Sequence, residues 1–127
     1  MSVLTNKFFK FLAASLIAIF AVGSLSACSS PEPVDMATYA AVIDVRTPEE
    51  TASGYLEGAL LFDINGGMFA EQISTLDKSA NYFVYCRSGN RAGGAIEQMK
   101  AAGFTGELTN GGSLADAASA TGLTVVQ

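Results

Sequence analysis

Histidine and tryptophan are absent from this 127-residue chain, and cysteine occurs only at positions 28 and 86. Without histidine, a Cys-His dyad, a Ser-His-Asp triad and the usual histidine-bearing zinc sites are excluded. Two cysteines so far apart give no CxxC spacing, so neither a thioredoxin-type dithiol nor a metal knuckle is expected. Gly93-Gly94 and Gly111-Gly112 lack the spacing and the lysine of a phosphate-binding loop. Seven basic residues against twelve acidic ones give a formal charge of −5, with no basic run, which argues against nucleic acid as a partner. The expectation is a protein without metal or cofactor.

What is present concentrates in six residues, Cys86-Arg87-Ser88-Gly89-Asn90-Arg91. The apolar run Tyr82-Phe83-Val84-Tyr85 leads into the cysteine, and Ala92 to Ala102 reads as a helix. A cysteine between the end of a buried strand and the start of a helix lies where backbone N–H groups converge and the helix dipole favours an anion. Such a setting lowers a thiol pKa from about 8.5 into the range of roughly 3.5–7.5. The two loop arginines are expected to push the same way. The alternative, an inert core cysteine beside a surface turn, leaves two arginines, a glycine and a serine packed into five residues unexplained.

The first 27 residues read as a leader outside the fold. Lys7 and Lys10 precede a largely apolar stretch, Phe11 to Val22, of 12 residues. That is short of the about 20 residues of a membrane span and suits a signal-peptide core. Leu25-Ser26-Ala27-Cys28 resembles a bacterial lipobox, in which the cysteine is lipidated and becomes the mature N-terminus. An ordinary signal peptide or an uncleaved anchor are the alternatives. The expectation is a lipid-anchored, periplasm-facing protein of the cell envelope, with Ser29 after the cysteine resembling lipoproteins sorted to the outer membrane. Residues 28–34 form a proline-stiffened tether. Residues 35–127 form one domain, expected to be a monomer, just large enough to build its own core. Removing residues 1–27 leaves 5 basic and 12 acidic residues, a charge of −7.

The domain alternates strand-like and helix-like stretches. Asp35 caps a short helix through Ala40, Ala41–Val45 is a strand, and Pro48 opens a helix ending at Gly54. Ala59–Ile64 is a strand, Met68–Leu76 a helix and Asn81–Tyr85 the central strand. The helix after the loop ends at Gly103, and Glu107–Thr109, Leu114–Ala120 and Leu123–Val126 follow as strand, helix and strand. The alternation predicts an α/β fold, a mostly parallel sheet with helices on both faces, binding ligands at the carboxyl ends of its strands. Asp44 and Arg46 are read as structural, with Arg46 in an ion pair and Glu49 and Glu50 close by.

The loop Cys86 to Arg91 closely resembles the active-site loop of the rhodanese family of sulfurtransferases. Val42-Ile43-Asp44-Val45-Arg46-Thr47-Pro48-Glu49-Glu50 is similar to that family's Asp-x-Arg segment, and Gly54-Tyr55-Leu56-Glu57-Gly58-Ala59 to its Gly-His-Ile-x-Gly-Ala stretch. Asn110-Gly111-Gly112 is a third, weaker match, so the resemblance spans roughly Asp35 to Val126. It implies a rhodanese-like domain in which Cys86 takes sulfur from a small anionic donor such as thiosulfate and passes it to a thiol or cyanide. It also implies that the loop residues Arg87, Ser88, Gly89, Asn90 and Arg91 hold the substrate. Arg87 is expected at the mouth, Arg91 or the Ser88 hydroxyl on the loop or the sulfur, and Gly89 at a special backbone angle. Tyr55 stands where the family usually has histidine, and no tryptophan follows Gly111-Gly112. A persulfide carrier and a cysteine-dependent phosphatase are the competing readings. The related phosphatases have five residues between cysteine and arginine, whereas Cys86 and Arg91 enclose four.

Overall fold

The computed structural model describes residues 33–127; the leader, Cys28 and most of the tether lie outside the described residues. Asp35 accepts from the Ala37 N–H and starts a 3-10 turn at Met36–Thr38. The chain then runs through β1 (Ala41–Asp44), α1 (Pro48–Thr51), β2 (Tyr55–Leu56), β3 (Leu60–Leu61) and α2 (Phe69–Ile73). It continues through β4 (Tyr82–Tyr85), α3 (Asn90–Ala101), β5 (Leu108–Asn110), α4 (Leu114–Thr121) and β6 (Val125–Val126).

Four strands lie side by side in the order β3-β1-β4-β5, all parallel. Every residue of β4 is buried, as a strand flanked by neighbours and covered on both faces must be. The period of two divides its side chains between the faces. Tyr82, Val84 and Cys86 join Ile43 and Val45 under α2 and α3, where Phe69, Ile73, Ala92, Ala95, Ile96 and Met99 pack. Phe83 and Tyr85 join Val42 on the opposite face, covered by Leu56 and by Ala117 of α4. Helices therefore cover both faces, as the alternation implies.

Several elements differ from expectation. The strand expected at Leu123–Val126 is reduced to β6 and does not join the parallel sheet. It pairs antiparallel with β2, Tyr55 opposite Val126 and Leu56 opposite Val125. Two-residue strands carry no readable period, and this ribbon forms because it lays Leu56 over the sheet, where its N–H donates to the Tyr85 hydroxyl at 2.9 Å. The helix expected over Met68–Leu76 holds only at Phe69–Ile73. Ser74 and Thr75 turn their hydroxyls back onto the carbonyls of Glu71 and Gln72, a local alternative to continuing the helix. Arg46 does form a structural ion pair, but its partner is Asp44, with Nη2 at 2.7 Å from Oδ2 and a second bond to the Gly54 carbonyl. Both side chains are buried, at 7% and 0% exposure.

Candidate active site

β4 delivers Cys86 at its carboxyl end, in the middle of the parallel sheet, where open α/β sheets bind ligands. The segment after β5 holds that end in place. The Cys86 N–H donates to the Gly112 carbonyl at 3.0 Å, and the Gly111 N–H donates to the Val84 carbonyl at 2.7 Å. Gly111 must lack a side chain, because a Cβ there would overlap the Phe83 ring.

Beyond Cys86 the chain reverses through Gly89, whose φ of +98° is a conformation that other residues adopt only at a cost. The turn brings the Gly89 N–H to 2.9 Å from Sγ. α3 begins at Asn90, two residues earlier than expected, with Gly89 as its N-cap and no side-chain cap. The first N–H groups of a helix have no partner within it. Here the amides of Arg91 and Ala92, in the positions a capping side chain would serve, favour the charged form of the nearby Cys86 sulfur. The sulfur sits at the start of α3, hydrogen-bonded by the Gly89 N–H.

The electrostatics follow. Burial pushes the Cys86 thiol up, but hydrogen bonds from the amides of Ala92, Ser88, Gly89 and Arg91 outweigh it and leave the thiol below its ordinary pKa. The lowering comes chiefly from the backbone amides, as the convergence of N–H groups at a helix start implies, and Arg91 adds a favourable Coulomb interaction with the sulfur. Arg91 turns its guanidinium to Glu50 in a bidentate pair, Nη1 to Oε2 at 2.7 Å and Nη2 to Oε1 at 2.8 Å. Arg87, Ser88 and Asn90 stand exposed at the rim. Among the described residues Arg87 has no ion-pair partner, and Ser88 serves the sulfur through its amide rather than its hydroxyl.

Three contributors were not singled out from the sequence. Ala92 supplies an amide from inside α3. Asn110 clamps the loop, its Nδ2 donating to the Gly89 carbonyl at 2.9 Å and its Oδ1 accepting from the Gly112 N–H at 3.0 Å. Glu50 joins α1 to the loop. Asn110 was visible within Asn110-Gly111-Gly112, and Glu50 in the Thr47-x-x-Glu50 capping-box pattern, which the structure forms in full.

A buried thiol of lowered pKa at the start of a helix, in a chain without histidine, defines a single-thiol α/β domain whose nucleophile is set by backbone geometry. The chain belongs to the rhodanese family, the rhodanese-like domain matching residues 31–115. Thiosulfate sulfurtransferase PspE of Escherichia coli is 35% identical over 78 residues, covering 60% of this chain and 72% of that protein. YtwF of Bacillus subtilis is 31% identical over 94 residues, 74% of this chain and 89% of that protein. A solved rhodanese with anions from Escherichia coli superposes with a TM-score of 0.57 at 28% identity, over 68% of this chain and 96% of that one.

Proposed function

We propose that the protein is a sulfurtransferase that carries sulfur as a persulfide on Cys86. The thiolate attacks the outer sulfur of a sulfane donor such as thiosulfate. One S–S bond forms as the donor's own breaks, and sulfite leaves with the electron pair. A thiolate or cyanide then attacks the outer sulfur of the persulfide, and the Cys86 thiolate departs ready for another cycle. The observation that carries this reading is the sulfur's place at the start of α3, where the Gly89 N–H donates to it. Amides already aimed at a negative sulfur need no reorganisation during the reaction. Arg87, the unpaired exposed cation beside the cradle in an otherwise acidic domain, draws in the anionic donor.

Thiocyanate production from thiosulfate and cyanide tests the proposal. Cys86→Ser abolishes it while the fold stands, and Arg87→Ala raises KM for thiosulfate, more at low salt because ions screen an exposed charge. Uptake of sulfur without turnover would make the protein a carrier. Hydrolysis of aryl phosphates with no thiocyanate would replace the reading with a phosphatase.

The leader motif supports a second part of the proposal, that a lipid on Cys28 anchors the domain to the cell envelope facing the periplasm. A thioether-capped Cys28 cannot form a disulfide, which leaves Cys86 the single free thiol in an oxidising compartment. Acylated residue 28 and membrane partitioning, both lost in Cys28→Ala, are the expected results; a soluble protein starting elsewhere would contradict it.

A further inference from the structure

Arg91 occupies a singular position. Its backbone amide favours the charged form of the Cys86 sulfur, while its guanidinium, a fork of donors close enough to feel that charge, is committed to Glu50. Glu50 is itself pinned. Its Oε2 accepts from the Thr47 N–H at 2.9 Å and the Thr47 hydroxyl at 3.0 Å, and its own N–H donates to Thr47 Oγ1 at 3.4 Å. One carboxylate thus closes the capping box of α1 and holds Arg91 from 41 residues away in sequence. The charged groups around the guanidinium are Glu50 from α1, Asp63 from the segment after β3 and Cys86 from the end of β4, with Arg87 exposed in the same loop.

A guanidinium fork matches the oxygens of phosphate or sulfate two at a time, whereas converging amides suit a single negative atom. We propose that Glu50 is a positioning residue that determines specificity: by holding Arg91 out of the cradle, it leaves a ring of backbone N–H groups that accepts sulfur and withholds the fork a tetrahedral oxyanion would use. This rests on the sulfurtransferase reading and implies that the loop holds phosphate only weakly while Glu50 keeps Arg91.

The test is Glu50→Gln, which keeps an oxygen for the Thr47 capping bonds and removes the charge that holds Arg91. Alkylation by iodoacetamide is followed at the Cys86 peptide by mass spectrometry, across pH and with inorganic phosphate as the protecting ion. Phosphate protection should tighten by about 3-fold or more, and the pH midpoint of alkylation should fall by about 0.5 as an uncompensated cation approaches the sulfur. In an Arg91→Gln background the same substitution should bring neither change. A structural role alone would loosen the amide cradle and raise the midpoint. Unchanged phosphate protection, a raised midpoint, or an equal gain without Arg91 would overturn the proposal. Neither readout uses a sulfur donor, so a wild-type protein that makes no thiocyanate would sink the sulfurtransferase reading and leave these measurements to judge Glu50 separately.

Discussion

Replacing Arg46 by Met removes the guanidinium from one of the most enclosed charges of the domain. Asp44 is fully buried and receives three side-chain hydrogen bonds from Arg46, from Nε at 3.0 and 3.2 Å and from Nη2 at 2.7 Å. The Arg46 backbone N–H, at 3.0 Å, would remain on that carboxylate, with the Tyr85 hydroxyl beside it. Taking one partner from a buried pair costs about 3–5 kcal/mol, because a buried charge is left uncompensated. The substitution also frees the Gly54 carbonyl and removes a cation lying 5.7 Å from the centroid of the Tyr85 ring. The 95 residues from 33 to 127 should have a stability of about 5–14 kcal/mol at the usual value per residue. The expected loss is thus about a fifth of the total or more. Urea unfolding followed by far-UV circular dichroism measures it directly. The double variant Asp44→Leu/Arg46→Met should recover much of the loss, since well-packed apolar residues replace buried ion pairs at little cost. A single-variant loss below about 1 kcal/mol, the range of exposed pairs, would refute the reasoning.

Other expectations follow from the loop's supports. Asn110→Ala removes the clamp on the Gly89 peptide and should raise the pH midpoint of Cys86 alkylation by up to about 0.5, equivalent to part of one neutral hydrogen bond. Gly111→Ala forces a methyl group into the Phe83 ring and should destabilise the domain by about 1–3 kcal/mol, read as a lower melting temperature. Glu50 is held down to about 2 from an ordinary 4.5, chiefly by its hydrogen bonds from Arg91. A depressed carboxylate stabilises the fold above its unfolded pKa and ceases to do so as pH falls from there to the folded value. The urea midpoint should therefore drop less between about pH 5 and about pH 3 in Glu50→Gln than in the wild type.

The sheet and the thiol were legible because each rests on a local pattern. An apolar run before Cys86 and a helix after it suffice to place a sulfur at a helix start, whatever packs around them. The β2–β6 ribbon was not legible, because two-residue strands show no period and their pairing joins Tyr55 to Val126 across most of the domain. The partner of Arg91 is hidden for a related reason. Sequence put its charge beside the cysteine, but only the fold brings Glu50 from α1 to take it up. Asp44 and Arg46, two residues apart, were correctly read as structural, yet neighbouring glutamates in the sequence drew attention from the aspartate on the strand. Asn110 stands out in the sequence only as part of the Asn110-Gly111-Gly112 motif. Its clamp on Gly89 depends on β4 and β5 lying side by side.

The central claim is that Cys86 accepts sulfur, and intact-mass spectrometry of the purified protein after exposure to thiosulfate tests it most directly. The account predicts a gain of one sulfur atom, mapped to Cys86, reversed by cyanide or a thiol and absent in Cys86→Ser. A thiol that titrates near the unperturbed value of about 8.5 and takes up no sulfur from thiosulfate would contradict it.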